Sequence, residues 1–195
     1  MKVILSLCDY SGVWSAPYER DGYEVIRVDL KHGQDVRLAP FLTRTIHGIL
    51  AAPPCTDFAV SGARWWADKG APLAGLALVD ACLRAVALYR PVWWALENPV
   101  GRLKDWIGPA SSSFHPYEFA GYSPTPDADR YTKKTLIWGT AKRPPQKPLA
   151  PVMFEKGGKR GSWMWANLGG KSERTKELRS QTPLGFAEAF RVANP

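Results

Sequence analysis

The chain is poor in the residues that hold small secreted or zinc-stabilised domains together. Its 195 residues include three cysteines and three histidines, and the cysteines, Cys8, Cys55 and Cys82, lie far apart. This spacing favours neither a disulfide framework nor a metal site. No apolar run approaches the roughly 20 residues of a transmembrane helix, and the first apolar segment is short for a signal peptide. We therefore expect a cytoplasmic protein with reduced thiols.

What is present indicates a globular domain with a basic C-terminal third. Hydrophobic residues make up 45% of the chain and charged residues 23%, which excludes wholesale disorder. The net charge is +8, and residues 130–179 contain 13 Lys/Arg and three Glu. Such a segment is typical of a protein that binds a polyanion, although a basic solvated surface is the alternative.

Short apolar runs alternate with helix-like segments in the first half of the chain. Strands are predicted at Lys2–Leu7, Tyr23–Asp29, Ile46–Ala51 and Val92–Leu96, and helices at Val13–Asp21 and Pro72–Tyr89. This alternation predicts an α/β fold, a mostly parallel sheet with helices on both faces. In such sheets, ligands bind beyond the carboxyl ends of the strands. Three conspicuous segments follow predicted strands at that edge: Asp9–Gly12, Pro53–Phe58 and Glu97–Pro99.

The pattern changes after residue 111. Strands are predicted at Phe114–Tyr122 and Thr135–Gly139, a proline-rich linker at Lys142–Pro151 and a final helix at Pro183–Ala193. The segment Gly157–Lys171 is rich in glycine, lysine and tryptophan and has no clear period, so no element is predicted for it.

Cys55 differs from the other cysteines because it directly follows Pro53 and Pro54 at the end of a predicted strand. Prolines fix the backbone and donate no hydrogen bond, so they hold the next residue in a restricted geometry. A rigidly presented thiol is what covalent catalysis requires. The alternative, a small buried hydrophobic residue, suits Cys8 and Cys82 better.

Acidic residues follow two other predicted strands. Glu97 in the segment LENP can hold or deliver a proton at a strand end, and an ordinary loop carboxylate is the alternative. The loop DYSG has one glycine, Gly12, which alone is a weak nucleotide-binding signal. Asp29 ends the second strand about 20 residues further on, where an acidic side chain can bind ribose hydroxyls.

Together these motifs resemble the DNA cytosine-5 methyltransferase family, in particular its short phage-type members. PPCTDF is similar to the family's Pro-Cys nucleophile motif and LENP to its Glu-Asn motif, while LCDYSG and VIRVD resemble its S-adenosylmethionine-binding start. RYTKKTLIWG and RSQTPLGFAEAFRVANP resemble later segments, so the likeness runs from Val3 to Pro195. It implies a Rossmann-like class I methyltransferase fold. The implied regions are a catalytic core in residues 1–140, a truncated basic recognition region in 141–178 and a C-terminal segment in 179–195 that packs back on the core.

The resemblance implies a covalent mechanism on cytosine. The Cys55 thiolate adds to carbon 6, Glu97 contacts ring nitrogen 3 and the exocyclic amine, and Asn98 shapes the pocket. Because the target atom is hidden in a duplex, the cytosine is flipped out or already single-stranded. The implied cofactor is S-adenosylmethionine. Its implied contacts are Tyr10 and Gly12 at the methionine part, Asp29 at the ribose, Asp35 at the adenine amine, and Pro53 and Phe58, with a core position as the alternative for Phe58.

The implied partner is DNA, and its expected contacts are basic. They are Arg64, Arg130, Lys133, Lys134, Lys159 and Arg160. Next to Arg64, Trp65 and Trp66 are candidates for insertion into the base stack, and packing under the long helix is the alternative.

The sequence also departs from the family pattern. Thr132 and Lys134 occupy the places of an arginine pair, Trp14 replaces a second glycine, and the recognition region is short. A short basic segment neutralises phosphates without identifying bases, so we expect broad or very short sequence specificity. The alternatives are a methyltransferase that acts on RNA or a free cytidine nucleotide, and a catalytically decayed DNA-binding module.

Overall fold

The computed structural model describes residues 1–38, 43–168 and 172–195. Residues 169–171, at the end of the aperiodic segment Gly157–Lys171, lie outside this part. Contacts divide the chain into two compact units: Met1–Ser113 with Thr135–Ala141, and Phe114–Lys134 with Lys142–Pro195. The predicted region boundaries at residues 140 and 178 stay a prediction.

The first unit is built on a six-stranded sheet. Its strands are β1 (Val3–Leu7), β2 (Glu24–Val28), β3 (Gly48–Ala51), β4 (Trp93–Pro99), β5 (Ser112–Phe114) and β6 (Thr135–Gly139). The order is β2-β1-β3-β4-β6-β5, with β1 to β4 parallel and β6 antiparallel to β4. The chain passes from β1 to β2 on one side and then to β3 on the other. Such a switch of direction opens a crevice at the carboxyl ends of the strands.

Helices cover both faces of this sheet. They are α1 (Ala16–Arg20), α2 (Trp66–Lys69), α3 (Leu73–Tyr89) and α4 (Lys104–Ile107), with 3-10 helices at Leu30–His32 and Val60–Trp65. On one face, Leu5 and Leu96 pack with Val79 of α3 in the main core. On the other face, the Tyr18 ring of α1 lies 5.6 Å from the ring of Trp93 on β4. The predicted Rossmann-like α/β fold is therefore confirmed.

Local sequence explains the main elements of this unit. The strand β1 is buried at every position because helices cover both faces of the parallel sheet, and all of its residues except Ser6 are apolar. The sequence of α3 consists mostly of strong helix formers. This helix ends where Arg90 adopts a left-handed conformation (φ 44°) just before Pro91. Across the described residues, no helix has the length and apolarity to cross a membrane.

The strand β4 is longer than the sequence predicts. It continues to Pro99, so Glu97 and Asn98 lie within the strand, opposite Ile137 and Leu136 of β6. The expectation that these two residues form a loop is wrong, because pairing with β6 gives their backbone groups partners. That pairing joins segments about 40 residues apart in sequence, beyond the reach of a local pattern.

The strand predicted at Phe114–Tyr122 is also wrong. The strand β5 ends at Phe114, and 3-10 helices cover Pro116–Glu118 and Ala120–Tyr122. Pro116 has no N–H to contribute to a ladder. The Glu118 carboxylate accepts a hydrogen bond from the His115 N–H at 2.8 Å, which closes a helical turn.

The second unit has an aromatic core. Its further elements are α5 (Pro126–Asp129), β7 (Met153–Lys156), β8 (Lys159–Ser162), α6 (Trp163–Asn167), α7 (Glu173–Ser180) and α8 (Leu184–Ala193). The Phe186 ring of α8 stacks on Phe114, with ring centroids 3.7 Å apart. Buried Asp129 accepts a hydrogen bond from the Gly185 N–H at the start of α8 (2.7 Å), and burial raises the pKa of this carboxyl. The predicted final helix is confirmed.

The segment Gly157–Lys171, for which no element is predicted, contains the turn and the second strand of a hairpin. The strands β7 and β8 pair antiparallel across Gly157 and Gly158, whose φ angles are 59° and 71°. Two adjacent positive φ angles match the tight turn that suits the twist of a hairpin, and glycine adopts them without strain. The Gly-Gly pair between Lys156 and Lys159 is the sequence signal for this turn.

The proline-rich segment Lys142–Pro151 has no regular structure, yet it is not a loose linker. The Lys147 N–H donates to the Glu118 carbonyl at 2.9 Å, and the Leu149 N–H donates to the Tyr117 carbonyl at 3.0 Å. These bonds lay the segment along the 3-10 helices of the second unit.

Candidate active site

The carboxyl ends of β1, β3 and β4 meet at one edge of the sheet. In the parallel register, Leu7 lies beside Ala51, and Ala51 lies beside Leu96. Within two positions, each of these residues is followed by one of the three segments predicted to lie at the edge of the sheet: Asp9–Gly12, Pro53–Phe58 and Glu97–Pro99. Strand register therefore brings the three segments to the same edge of the first unit.

A side chain connects two of these segments directly. The Asn98 amide Nδ2 donates a hydrogen bond of 2.9 Å to the Pro53 carbonyl, and the contact is buried. The Asn98 Oδ1 is also buried and has no hydrogen-bond partner in the part of the chain that the structure describes. Buried polar atoms are normally paired, so this oxygen is an exception among the described residues.

Cys55 lies at the start of a tight turn. The N–H groups of Phe58 and Ala59 both donate to the Cys55 carbonyl at 2.9 Å. Two prolines precede the residue and this turn follows it, so the backbone on both sides is restricted. Cys55 is partly exposed as a residue, unlike Cys82, which is buried.

The other two cysteines form a contrasting pair in the core. Cys82 of α3 is buried, and a hydrogen bond with Cys8 together with burial raises the pKa of its thiol. A thiol with a raised pKa stays protonated and is a poor nucleophile. This environment agrees with the structural role expected for Cys82.

Glu97 is buried in β4, with 6% of its surface exposed. It lies opposite Ile137 and on the face of β4 away from Leu96, since side chains alternate along a strand. A glutamate is rarely buried unless its carboxyl is paired. Glu97 is the first residue of β4 beyond the β3–β4 pairing, which ends at Ala51 and Leu96, and the Pro53–Phe58 segment begins two residues beyond the same end.

Gly101 is a site residue that the sequence reasoning missed. It forms an isolated bridge with Ala59, and the flanking Arg102 N–H donates to the Phe58 carbonyl at 3.0 Å. A Cβ atom at position 101 would lie 1.9 Å from the Phe58 oxygen, so only glycine permits this approach. Gly101 thereby joins the segment after Asn98 to the turn after Cys55.

Asp9 organises the loop after β1 and was also missed as an individual residue. Its buried carboxylate accepts hydrogen bonds from the Ser6 hydroxyl (2.8 Å), the Ser15 hydroxyl (2.9 Å) and the Gly12 N–H (2.9 Å). The signal in the sequence is an Asp directly after a buried strand with Ser and Gly around it, a pattern typical of side chain–backbone turns.

In the loop after β1, one glycine, Gly12, adopts a left-handed backbone conformation. Gly12 has a φ of +66°, and a Cβ there would lie 2.7 Å from the Arg27 guanidinium carbon. Trp14, at the place of the usual second glycine, is almost fully buried and does not project from the loop. Tyr10 is exposed, with the Lys31 ammonium 4.4 Å above its ring.

Two carboxylates follow β2, as the sequence predicts. The Asp29 Oδ1 accepts a hydrogen bond of 2.8 Å from the Lys31 N–H, which starts the 3-10 helix Leu30–His32. Asp35 pairs with Arg37, and hydrogen bonds from Arg37 lower the pKa of Asp35 to about 2. Asp35 is therefore ionised at neutral pH. Both carboxylates have the acceptor atoms that hydroxyl and amine groups of a nucleoside require.

Phe58 lies in the core, the alternative position expected for it, and its contact with the cofactor stays a prediction. The ring is fully buried, and a Cβ added at Gly75 of α3 would lie 2.9 Å from it. Pro53 is buried as well, and its carbonyl is the acceptor for Asn98.

In the segment after the Cys55 turn, Trp65 is exposed and Trp66 is half-buried. The guanidinium of exposed Arg64 lies 5.0 Å from the ring of Trp65, which is 49% exposed. Trp66 is half-buried, with the Arg102 guanidinium 5.0 Å from its ring. Arg64 and Trp65 thus form an exposed cation–aromatic pair, the kind of surface that stacks on bases.

The basic candidates of the second unit differ in availability. Lys134, Lys159 and Arg160 are exposed. Arg130 donates to the Ala150 carbonyl and to the Asp127 carboxylate, both at 2.9 Å, and Lys133 donates to the Arg179 carbonyl at 2.7 Å. Arg130 and Lys133 therefore have structural roles within this unit, and their predicted contact with DNA stays a prediction.

Comparison with known proteins gives a distant structural likeness. No protein family profile and no curated protein matches the chain. Among solved structures, it is similar to a protein described as a "putative DNA modification methyltransferase encoded within prophage" from E. coli, with a TM-score of 0.49 and 14% sequence identity. The alignment covers 71% of this chain and 46% of the other, so the chain spans about half the length of that protein.

Proposed function

We propose that the chain is an S-adenosylmethionine-dependent DNA cytosine-5 methyltransferase. The observation that carries this proposal is the buried 2.9 Å hydrogen bond from the Asn98 amide to the Pro53 carbonyl. It ties the strand that contains Glu97 to the loop that contains Cys55. A thiol and a carboxyl at one edge of a sheet suit a reaction in which one ring needs both a nucleophile and a proton donor.

Cys55 acts as the nucleophile in this proposal. Its thiolate adds to carbon 6 of the cytosine ring, and the electron pair of the 5,6 double bond makes carbon 5 nucleophilic. Glu97 holds a proton at ring nitrogen 3, so the ring does not accumulate negative charge during the addition. After carbon 5 has gained a methyl group, a base removes its hydrogen, the double bond re-forms and the Cys55 thiolate leaves.

Residues after β1 and β2 fit S-adenosylmethionine, which supplies an electrophilic methyl group when bound. Asp29 has a carboxylate at the end of β2 for the ribose hydroxyls, and ionised Asp35 can accept a hydrogen bond from the adenine amine. Gly12 lets the first loop turn sharply above the end of β1, and exposed Tyr10 covers the methionine part. Asp9 supports this loop through the hydrogen bonds that its carboxylate accepts from Ser6, Gly12 and Ser15.

DNA is the acceptor that the exposed groups favour. The target carbon is hidden in a duplex, so the cytosine leaves the base stack before the thiol reaches it. Arg64 and Trp65, which are exposed in the segment after the Cys55 turn, contact the strand that loses its base in this proposal. In the second unit, Lys159 and Arg160 at the hairpin neutralise phosphates, which gives affinity with little sequence preference.

The proposal is tested by supplying methyl-labelled S-adenosylmethionine with duplex DNA, single-stranded DNA, RNA or dCMP in separate reactions. Nucleoside analysis of each product identifies the methylated atom. We expect 5-methyldeoxycytidine from DNA with the natural protein and with Cys82→Ala, and none with Cys55→Ser. Label on an exocyclic nitrogen, or in RNA or dCMP but not in DNA, would overturn the proposal.

A further inference from the structure

We infer that Arg102 is a positioning residue that fixes both ends of the loop formed by residues 57–70 to the end of β4. The inference rests on the proposed function, because that loop begins two residues after Cys55. It concerns a residue with no place in the chemistry described above. Arg102 acts on the reaction through the segments that it holds.

One guanidinium reaches both ends of the loop. The Arg102 Nε donates to the Asp57 carbonyl at 2.9 Å, and its Nη1 donates to the Gly70 carbonyl at 3.1 Å. The Arg102 backbone N–H donates to the Phe58 carbonyl at 3.0 Å. Three hydrogen bonds from one residue therefore hold carbonyls that are 13 residues apart in sequence.

Packing restricts the guanidinium itself. Its carbon lies 5.0 Å from the Trp66 ring in the middle of the loop, and its Nη2 is buried. In the described part of the chain, Nη2 has no hydrogen-bond partner and no carboxylate pairs with the side chain. The positive charge of Arg102 therefore faces main-chain carbonyl dipoles. The planar guanidinium donates to two carbonyls in fixed directions, which the ammonium of a lysine does not reproduce.

The groups between the two anchored carbonyls explain the consequence. The loop contains Arg64 and Trp65, the exposed cation–aromatic pair. Near its start, the N–H groups of Phe58 and Ala59 donate to the Cys55 carbonyl. If Arg102 no longer holds the Asp57 and Gly70 carbonyls, the Cys55 thiol shifts relative to Glu97. The Arg64–Trp65 pair then also loses its fixed position. A displacement of about 1 Å from the reacting geometry lowers a rate by roughly 100-fold.

The test compares Arg102→Ala and Arg102→Lys with Arg44→Ala as a matched control. Arg44 is exposed and pairs with Glu24, at the amino end of β2 and so at the edge of the sheet opposite the site. We expect Arg102→Ala to lose about 10- to 100-fold in kcat for DNA methylation. Its dissociation constant for S-adenosylmethionine should stay within about twofold, and Arg44→Ala should match the natural protein.

Two further measurements separate positioning from a loss of folding. Added guanidinium at sub-denaturing concentration should restore part of the kcat of Arg102→Ala and none in Arg102→Lys, whose ammonium occupies the site. Circular dichroism melting reports the folded fraction of each variant. Unchanged kcat in folded Arg102→Ala, or an equal loss in Arg44→Ala, overturns the inference. Absence of cytosine-5 transfer by the natural protein instead refutes the proposed function, so the two failures are distinguishable.

Discussion

Gly101→Ala is the most specific perturbation of the link between the two motif segments. The new Cβ would lie 1.9 Å from the Phe58 oxygen, whereas real Cβ contacts are essentially never under 3.0 Å. The segment after Asn98 and the turn after Cys55 therefore have to separate by more than 1 Å. This movement breaks the bonds from the Arg102 N–H to the Phe58 carbonyl and from the Val60 N–H to the Val100 carbonyl, each 3.0 Å.

The expected loss of activity exceeds the expected loss of folded protein. Overpacking of this kind destabilises by about 1–3 kcal/mol. A domain of typical stability, about 5–15 kcal/mol, stays folded after such a change. By contrast, a displacement of about 1 Å at a catalytic group lowers the rate roughly 100-fold. We therefore expect a large decrease in kcat with a modest decrease in melting temperature.

Gly62→Ala is the matched control, because it adds the same atom within the loop formed by residues 57–70, which Gly101 contacts at Phe58 and Ala59. At position 62 a Cβ meets only the Thr56 carbonyl oxygen, at 3.7 Å, which is an ordinary van der Waals contact. The assay is methyl transfer to DNA from labelled S-adenosylmethionine, with melting followed by circular dichroism. If Gly101→Ala and Gly62→Ala have the same kcat, the close approach at Gly101 does not position Cys55 and the reasoning is refuted.

Further predictions concern the thiol, the cofactor, the hairpin and a buried acid. Cys55→Ser should abolish methyl transfer and leave cofactor binding intact by calorimetry, because a serine hydroxyl is not ionised near neutral pH; measurable turnover contradicts this. Asp29→Ala should weaken S-adenosylmethionine binding, and an unchanged dissociation constant removes Asp29 from the site. Charge reversal at Lys159 and Arg160 should weaken binding to all DNA sequences alike and reduce its salt dependence in fluorescence titrations, since fewer counterions are released; an effect confined to one sequence argues against phosphate contacts. Burial raises the pKa of Asp129, so its contribution to stability is present at acidic pH and is lost as the pH rises through that pKa. The melting temperature of Asp129→Asn relative to the natural protein should therefore rise from acidic to neutral pH, and a constant difference would contradict the shift.

Local sequence was sufficient where an element depends on its own residues. The strand at Thr135–Gly139 and the helix Leu184–Ala193 occur where the alternation and the apolar period predict them. The strand predicted at Phe114–Tyr122 was wrong because Pro116 and Glu118 favour a helical turn. The prediction gave more weight to the apolar residues of this segment than to that local signal. The hairpin around Gly157 was missed because its strands have only four residues each and β8 (KRGS) contains no apolar side chain.

For the candidate site, too, some features could be predicted from local sequence and others could not. Strand order places Cys55 and Glu97 at one edge, and this could be predicted because parallel neighbouring strands end together. The roles of Gly101 and Arg102 depend on contacts with residues more than 30 positions away, which no local pattern records. The burial of Phe58 depends likewise on the space that Gly75 leaves in α3.

The central claim is that Cys55 forms a covalent bond with cytosine during methyl transfer. DNA containing 5-fluorodeoxycytidine tests it directly, because carbon 5 then carries no hydrogen to remove and the adduct cannot break down. After incubation with S-adenosylmethionine, denaturation and proteolysis, mass spectrometry should find the methylated fluorocytosine on the peptide that contains Cys55. Methylation of ordinary DNA without any such adduct, or an adduct on Cys8 or Cys82, would contradict the account.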